Sequence, residues 1–327
     1  QNKRDLPWRN TKDPYLIWLS EIILQQTRVE QGTSYYLKFK ENYPEVADLA
    51  NATELDVLNN WQGLGYYSRA RNLHHSAKHI HEVLNGEFPS EYSEIIKLKG
   101  VGKYTAAAIS SFAFNEAQAV VDGNVYRLLS RVFDIDLPID SGKGQKYFQQ
   151  LADQLIDTED SATHNQAIME VGSIVCSPKA PSCAVCPLND ICLGLKNNTI
   201  EQRPVKTKKI KVTSRFFHYL VFHFDNKTYI EKRSQKGIWQ NLYQFPLIET
   251  SVEASEEEKT IWKDQHYESI PIRHLLSHQK IDVVFHHINK KPELIQNNWQ
   301  EIKLSSIQEF PIPRIIDKYL IEHPQFF

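Results

Sequence analysis

The stretch Leu98-Lys-Gly-Val-Gly-Lys-Tyr-Thr-Ala-Ala107 decides how the first half of the chain folds. Two glycines one residue apart follow one helical segment and open another, so the spacing predicts a tight turn between two helices. Such a turn presents backbone N–H groups at a helix N-terminus, which suits a phosphate. The run is too short for a Walker loop and does not follow a strand, as a dinucleotide-binding loop does. It has the shape of a helix-hairpin-helix, which holds a nucleic-acid backbone without reading its sequence. A plain turn between helices stays open at this point.

On both sides the pattern is helical. Asp13-Pro14 reads as an N-cap followed by proline at the first helical position. From it runs PYLIWLSEIILQQ, ending at Gln26. Tyr35 to Lys40, Ala52 to Trp61, Arg69 to Leu84, Tyr92 to Leu98, Thr105 to Phe114, Asn124 to Phe133 and Gly144 to Ile156 continue the series. Of 12 glycines, 11 lie at or before Gly194, so the chain changes character there. A run with five basic residues and no acidic one, Arg203 to Lys211, then reads as a linker. Beyond it the period becomes two. Phe216 to Phe224 is predicted as a strand, with Lys227 to Lys232 paired to it as a hairpin across Asp225-Asn226. Lys280 to His287 is another strand. The predicted organisation is a helical domain over 1–194, a linker over 195–213 and an α+β domain over 214–327.

Length and composition bound less. At 327 residues, one large or two ordinary domains are expected. The net charge of −2 gives no hint of nucleic acid, although binding needs only a local basic face. Neither a signal peptide nor an apolar run long enough to span a membrane is apparent, so a cytoplasmic protein is expected. The chain opens at Gln1 in mid-pattern, and an upstream segment is expected.

All four cysteines fall in one loop: Cys176, Cys183, Cys186 and Cys192, spaced C-x6-C-x2-C-x5-C. Disulfides do not suit a chain with no sign of secretion. Structural zinc usually takes two short C-x2-4-C hooks, and this loop has one. The wide spacings around a central x2 favour one loop wrapped on a [4Fe-4S] cubane, with a zinc site as the alternative.

Two carboxylates stand out. Asp122, in Val120-Val-Asp-Gly-Asn-Val-Tyr-Arg127, sits where an apolar segment meets a helix start, as an N-cap does. The helix dipole there favours the charged form, ready to face a developing cation. Glu21 stands among Trp18, Leu19, Ile22 and Ile23. If buried among them, its pKa rises and it becomes a usable general acid; an exposed stripe is the alternative. One protonated and one charged carboxyl suit the cleavage of a glycosidic bond.

Glu21 with QQT, the turn LKGVGKYTA, Asp122 in VDGNV and the cysteine loop occur in the order and spacing of the endonuclease III superfamily of DNA glycosylases. Within it, LPWR (Leu6 to Arg9), WLSEIILQQTRV (Trp18 to Val29), GLGYYSRARNL (Gly63 to Leu73), NQAIMEVGSIVC (Asn165 to Cys176) and CPLNDIC (Cys186 to Cys192) resemble adenine DNA glycosylases of the MutY type. The resemblance covers nearly the whole chain. It implies an all-α helix-hairpin-helix glycosylase domain with a [4Fe-4S] cluster loop, followed by an α+β Nudix-like domain. It implies a monomer acting on double-stranded DNA, with removal of adenine mispaired with 8-oxoguanine. Glu21 then corresponds to the acid that protonates the adenine ring, and Asp122 to the carboxylate that stabilises the oxocarbenium-like sugar. Tyr104 and Asn124 correspond to supporting catalytic positions. Glu170 and Arg9 correspond to the adenine pocket. Gln25, Gln26, Thr27, Leu64 and Tyr66, with Gly100, Val101, Gly102 and Lys103 of the turn, correspond to DNA-contacting positions. Ser277 and His278 correspond to the 8-oxoguanine-sensing loop.

Tyr104 also implies the subclass. Bifunctional relatives carry lysine there, whose amine forms a Schiff base; a phenol cannot. The rivals are such a bifunctional glycosylase/lyase for oxidised pyrimidines and a non-catalytic iron–sulfur DNA-binding protein. Gly237-Ile-Trp-Gln-Asn-Leu-Tyr-Gln-Phe-Pro246 fits the Nudix-like fold, but no glycine follows position 237, so the metal box of a pyrophosphatase is absent. Two departures from the family are Leu276 in place of phenylalanine before Ser277, and Lys99 where proline is common.

Overall fold

A computed structural model of the chain describes residues 4–207, 212–250, 254–263, 265–276 and 278–327. Ten helices come first: α1 (Pro14–Leu24), α2 (Val29–Asn42), α3 (Val46–Asn51), α4 (Glu54–Asn60), α5 (Ser68–Glu82), α6 (Tyr92–Ile95), α7 (Lys103–Phe114), α8 (Gly123–Val132), α9 (Gly142–Leu155) and α10 (Ser161–Glu170). A π-helical turn, Val171–Val175, runs from α10 into the cysteine loop, and a short α11 (Leu193–Lys196) follows it. Then come β1 (Thr213–Phe222), β2 (Lys227–Lys232), β3 (Tyr243–Gln244), β4 (Leu247–Thr250), α12 (Glu256–Lys259), β5 (Tyr267–Glu268), β6 (Ile272–Leu275), β7 (Gln279–Ile288), β8 (Trp299–Lys303) and α13 (Arg314–Glu322). The helical half and the mixed half follow the predicted fold class.

The chain divides into two compact units, 1–52 with 72–208, and 53–71 with 209–327. Residues 53–71 therefore belong with the C-terminal half. Within that second unit, Asn59 Nδ2 donates to Glu309 O at 3.0 Å, Tyr67 Oη to Ile312 O at 3.3 Å, and Arg71 Nη1 to Gln240 O at 2.6 Å.

In the first unit the Asp13 carboxylate caps α1 by accepting from Tyr15 N and Leu16 N. Tyr15 to Ile23 are then buried without a break, so α1 is a core helix rather than a surface one. A polar knot ties α7 to α10. Asn165 Nδ2 donates to Ser111 Oγ and Gln118 O, both at 2.8 Å, while its Oδ1 accepts from Val120 N at 3.1 Å. This knot fixes the extended segment that leads into Asp122. Each buried polar atom in it has a partner, as low-dielectric surroundings demand.

In the second unit β1 pairs parallel with β7 and antiparallel with β4, and β7 also takes β5 and β6. A second sheet has the order β3-β2-β8. This corrects the predicted hairpin. Asp225 and Asn226 do turn with positive φ, but only Phe224 and Lys227 bridge across it. Both hydrogen-bonding edges of β1 are already taken by β4 and β7, so β2 leaves for the other sheet. Strand β1 is also buried on both faces, which explains its nearly continuous apolar run. Phe217, Tyr219 and Val221 pack in the core that includes Ile316 and Tyr319 of α13, with Phe285 and Tyr319 stacked at 3.7 Å. Leu220 and Phe222 pack in the cluster of Ala254 and Trp262.

His287 is buried in the second unit, and His223 beside it is half-buried. His223 Nε2 and His287 Nδ1 lie 2.7 Å apart, and His287 Nε2 lies 2.8 Å from the Tyr319 hydroxyl. Burial, with the neighbouring imidazole of His266, pushes His223 down to about 4. Burial, with His223 and then His266 beside it, pushes His287 to about 3. Both pKa values lie below that of an unfolded histidine, about 6.5. Their stabilising contribution is therefore complete above pH about 6.5 and is lost as the pH falls towards 4, because the unfolded form takes the proton first. The melting temperature should drop between pH 7 and pH 5, and His287→Gln should flatten that dependence; thermal melts followed by near-UV circular dichroism check both.

Candidate active site

One cavity of about 210 Å³ in the first unit is lined by Glu21, Tyr104, Asp122, Asn124, Glu170, Arg9 and Thr27, all singled out from the sequence. Arg4 and Gln166 also line it and were not foreseen.

Glu21 lies in the buried stretch of α1 and is 8% exposed. Desolvation pushes its carboxyl up to about 7, against a hydrogen bond from Tyr104 and the Arg9 charge, while Asp122 adds to the rise. Near neutrality a large share of Glu21 is protonated, which is what a general acid needs. Burial and the two carboxyls push the Tyr104 hydroxyl well above its usual range, so it remains a neutral donor.

Asp122 caps α8. Its Oδ1 accepts from Asn124 N and Val125 N at 2.8 Å each, and its Oδ2 accepts from Asn124 Nδ2 at 2.8 Å. Asn124 is held in turn by Arg127, which donates from Nη2 to Asn124 Oδ1 at 2.9 Å and to Gly172 O at 2.5 Å, and from Nε to Cys176 O at 2.7 Å. A buried arginine thus joins the cysteine loop to the carboxylate. Gly172 permits this approach, since a Cβ there would meet Asn124 O at 2.9 Å. In the sequence Arg127 was one more residue of a helix.

Glu170 closes α10 where the π turn begins. Its Oε1 accepts from Arg4 Nε at 2.7 Å, and its Oε2 accepts from Arg4 Nη2 at 2.8 Å and Arg9 Nη2 at 2.7 Å. Burial opposes its ionisation, but the two guanidinium groups prevail and hold it at about 2. It stays charged, opposite in behaviour to Glu21 along the same cavity.

The remaining expected contacts fall in both units. In the first, Gln25 Nε2 donates to Thr105 Oγ1 at 3.2 Å, and Gln26 is exposed with φ 54°. The turn has Gly100 at φ 84° beside Asn72, Val101 buried, Gly102 as the N-cap of α7, and Lys103 exposed. In the second unit Leu64 is buried at 6%, whereas Tyr66 is 45% exposed. Tyr66, Leu276 and His278 line a cavity of about 500 Å³ with Trp239. Ser277 lies outside the described residues.

The four cysteines are free thiols that line one cavity. Burial, with Cys176, Cys192 and Cys186 nearby, raises the pKa of Cys183. Arg131 Nη1 donates to Cys176 Sγ at 3.4 Å, and Cys192 Sγ donates to Arg131 O at 3.5 Å. Among the described residues no group of three or more such ligands is gathered tightly enough for a single ion.

Residues 19–168 match the HhH-GPD superfamily base excision DNA repair protein family, and residues 218–322 match the NUDIX domain. An adenine DNA glycosylase of Buchnera aphidicola subsp. Baizongia pistaciae (strain Bp) is 39% identical over 249 residues, which are 75% of this chain and 69% of the relative. Another, from Buchnera aphidicola subsp. Acyrthosiphon pisum (strain APS), is 32% identical over 97% of this chain and 93% of its own. The chain belongs to the adenine DNA glycosylase family. Among solved structures, that of a thermostable thymine-DNA glycosylase resembles it with a TM-score of 0.56 at 29% identity, covering 60% of this chain and 91% of the other.

Of the two groups that lower the Glu21 pKa within this cavity, the Tyr104 hydroxyl is the stronger and the Arg9 charge the weaker. Tyr104→Phe should therefore raise that pKa above about 7. Carboxyl ¹³C resonances of labelled glutamate, followed against pH, measure it; an unchanged or lower value would mean that the hydroxyl does not donate to Glu21.

Proposed function

We propose that this chain is a monofunctional glycosylase that removes adenine mispaired with 8-oxoguanine, or with guanine, from double-stranded DNA. One observation carries the reading: a buried carboxyl raised to about 7 shares a cavity with a hydrogen-bonded aspartate. The adenine must leave the stack to enter. Glu21 gives its proton to the adenine ring, and the C1′–N9 bond breaks with its electron pair going to the base. Asp122 faces the resulting oxocarbenium-like sugar, water adds at C1′, and the proton it releases passes to the now ionised Glu21. Asn124 holds Asp122 in place. Glu170 and Arg9 orient the base. No amine stands at position 104, so a Schiff base has no nucleophile, and the bifunctional reading loses its chemistry.

The four thiols suit a [4Fe-4S] cluster. They are spread around one cavity rather than drawn in to a single ion, and the buried cation of Arg131 beside them suits an anionic cluster. Such a cluster would supply structural support to the loop and to the carbonyl of Cys176 that Arg127 binds. The hairpin Gly100–Lys103 is assigned to backbone phosphate, with Gln25, Gln26, Thr27, Leu64 and Tyr66 around the lesion. Ser277 and His278 are assigned to sensing 8-oxoguanine. The functional boundary is placed at the basic segment 195–213. Among the described residues no helix is long and apolar enough to cross a membrane. A cytoplasmic monomer that works on DNA is the proposed setting.

Glu21→Gln should keep DNA binding and lose base excision by about 10²–10⁴-fold, the usual worth of general acid catalysis. Asp122→Asn should do likewise. Single-turnover assays on duplexes with adenine opposite 8-oxoguanine decide it, and a Glu21→Gln rate within a few-fold of the parent would remove the assignment. Protein isolated without air should contain about four irons per chain; zinc in their place would refute the cluster. Ser277→Ala with His278→Ala should slow excision opposite 8-oxoguanine while leaving guanine duplexes nearly unchanged, each lost hydrogen bond costing about 0.5–1.5 kcal/mol. The ratio of the two rates is the readout.

A further inference from the structure

The loop that joins α4 to α5 holds a bulky side chain in a backbone conformation it does not favour. Gly63, Gly65 and Tyr66 have φ of 91°, 76° and 48°. Glycine takes such values freely, but an aromatic residue stays in the left-handed region only where its surroundings hold it there. The Tyr66 ring is nevertheless exposed, and it lines the cavity that His278 also lines. Its restraint comes from below.

Arg69, in the first turn of α5, is buried. Its backbone N–H donates to Tyr66 O at 2.9 Å, and its Nη2 donates to Gly65 O at 3.2 Å. The same Gly65 oxygen accepts from Trp61 Nε1 at 3.0 Å. The guanidinium carbon lies 5.1 Å from the centre of the Trp61 ring and 5.7 Å from that of the Tyr66 ring. Both fall within the reach of a cation–π contact, about 6 Å. Trp61 is fully buried, so it gives the cation a fixed floor. Burial pushes Arg69 down to about 10, which still leaves it charged near neutrality. A guanidinium buried in this way acts on DNA only through the groups it touches.

We propose that Arg69 is a positioning residue that presents the Tyr66 ring, already ordered, to the base stack beside the lesion. The proposal rests on the assignment of Tyr66 to DNA made above. A ring ordered before binding has less rotamer freedom to lose when it inserts, so the gain appears as affinity rather than as rate. Arginine suits the place because its planar fork bonds Gly65 O while its flat face covers the rings; a lysine ammonium supplies charge alone.

The test is single-turnover excision by the full chain at rising enzyme concentration, on duplexes with adenine opposite 8-oxoguanine. It separates the half-saturating concentration from the limiting rate. Arg69→Gln should raise the half-saturating concentration about 5- to 30-fold, the worth of a desolvated cation–π contact, and leave the limiting rate within a few-fold of the parent. Arg69→Lys should recover part of the loss. In a Tyr66→Ala background Arg69→Gln should add less than about 2-fold, because the residue through which it acts is gone. Additive losses, or a loss confined to the limiting rate, would overturn the positioning role. If Tyr66→Ala weakens binding and a folded Arg69→Gln does not, the positioning role fails alone. If Tyr66→Ala saturates like the parent, the assignment of Tyr66 to DNA fails and takes the positioning role with it. A second measurement keeps Arg69 in place. In protein with ¹⁵N-labelled arginine, the Arg69 side-chain N–H proton resonances should be shifted upfield by the two rings and move downfield in Tyr66→Ala. Resonances that do not move would also overturn the proposal.

Discussion

The guanidinium of Arg127 organises the first unit. It is buried, and three carbonyls, of Cys176, Gly172 and Gly123, with the Asn124 amide oxygen take its charge. Desolvation of such a cation costs several kcal/mol unless those oxygens stay in place. Three pieces of chain must therefore hold their relative positions: the cysteine loop through Cys176, the π turn through Gly172, and the start of α8 through Asn124. Asp122 inherits its orientation from the last of these. The chemistry of the aspartate thus depends on a loop more than fifty residues away in sequence, without any contact between the carboxylate and the thiols.

The same unit keeps two glutamates in opposite states a few side chains apart. Glu21 has hydrocarbon around it and one phenol, so its proton stays on near neutrality. Glu170 has two arginines and remains charged. Local partners, not residue type, set the difference. A fixed negative charge beside the two guanidiniums leaves the protonated Glu21 as the ready proton source along the cavity.

Much of this was legible in the sequence. Helix starts carry their caps, and Asp13-Pro14 and Asp122-Gly123 mark two of them. Glu21, flanked by four large apolar residues, allowed burial or an exposed stripe, and the structure buries it. The cysteine spacing foretold a shared site. Arg127 and Arg4 were illegible because a buried arginine leaves no periodic trace: its partners are backbone carbonyls and a distant glutamate. The hairpin expected at Asp225-Asn226 misled for a related reason. The turn residues are right, but strand pairing is decided by which edges remain vacant, and β1 has both edges filled from later in the chain. The membership of 53–71 in the second unit was equally hidden, since its contacts lie on side chains that meet backbone more than 160 residues away.

That membership has a consequence for synthesis. The segment 53–71 leaves the ribosome early, but its partners near Gln240 and Ile312 come last. At about 5–20 residues per second the interval lasts tens of seconds. Throughout it, α4 and the Tyr67 hydroxyl have no finished surface to meet, while the parallel β1–β7 ladder, with its long closure, is still to form. The segment 53–71 therefore stays without its partners in the second unit until the chain near Ile312 has emerged.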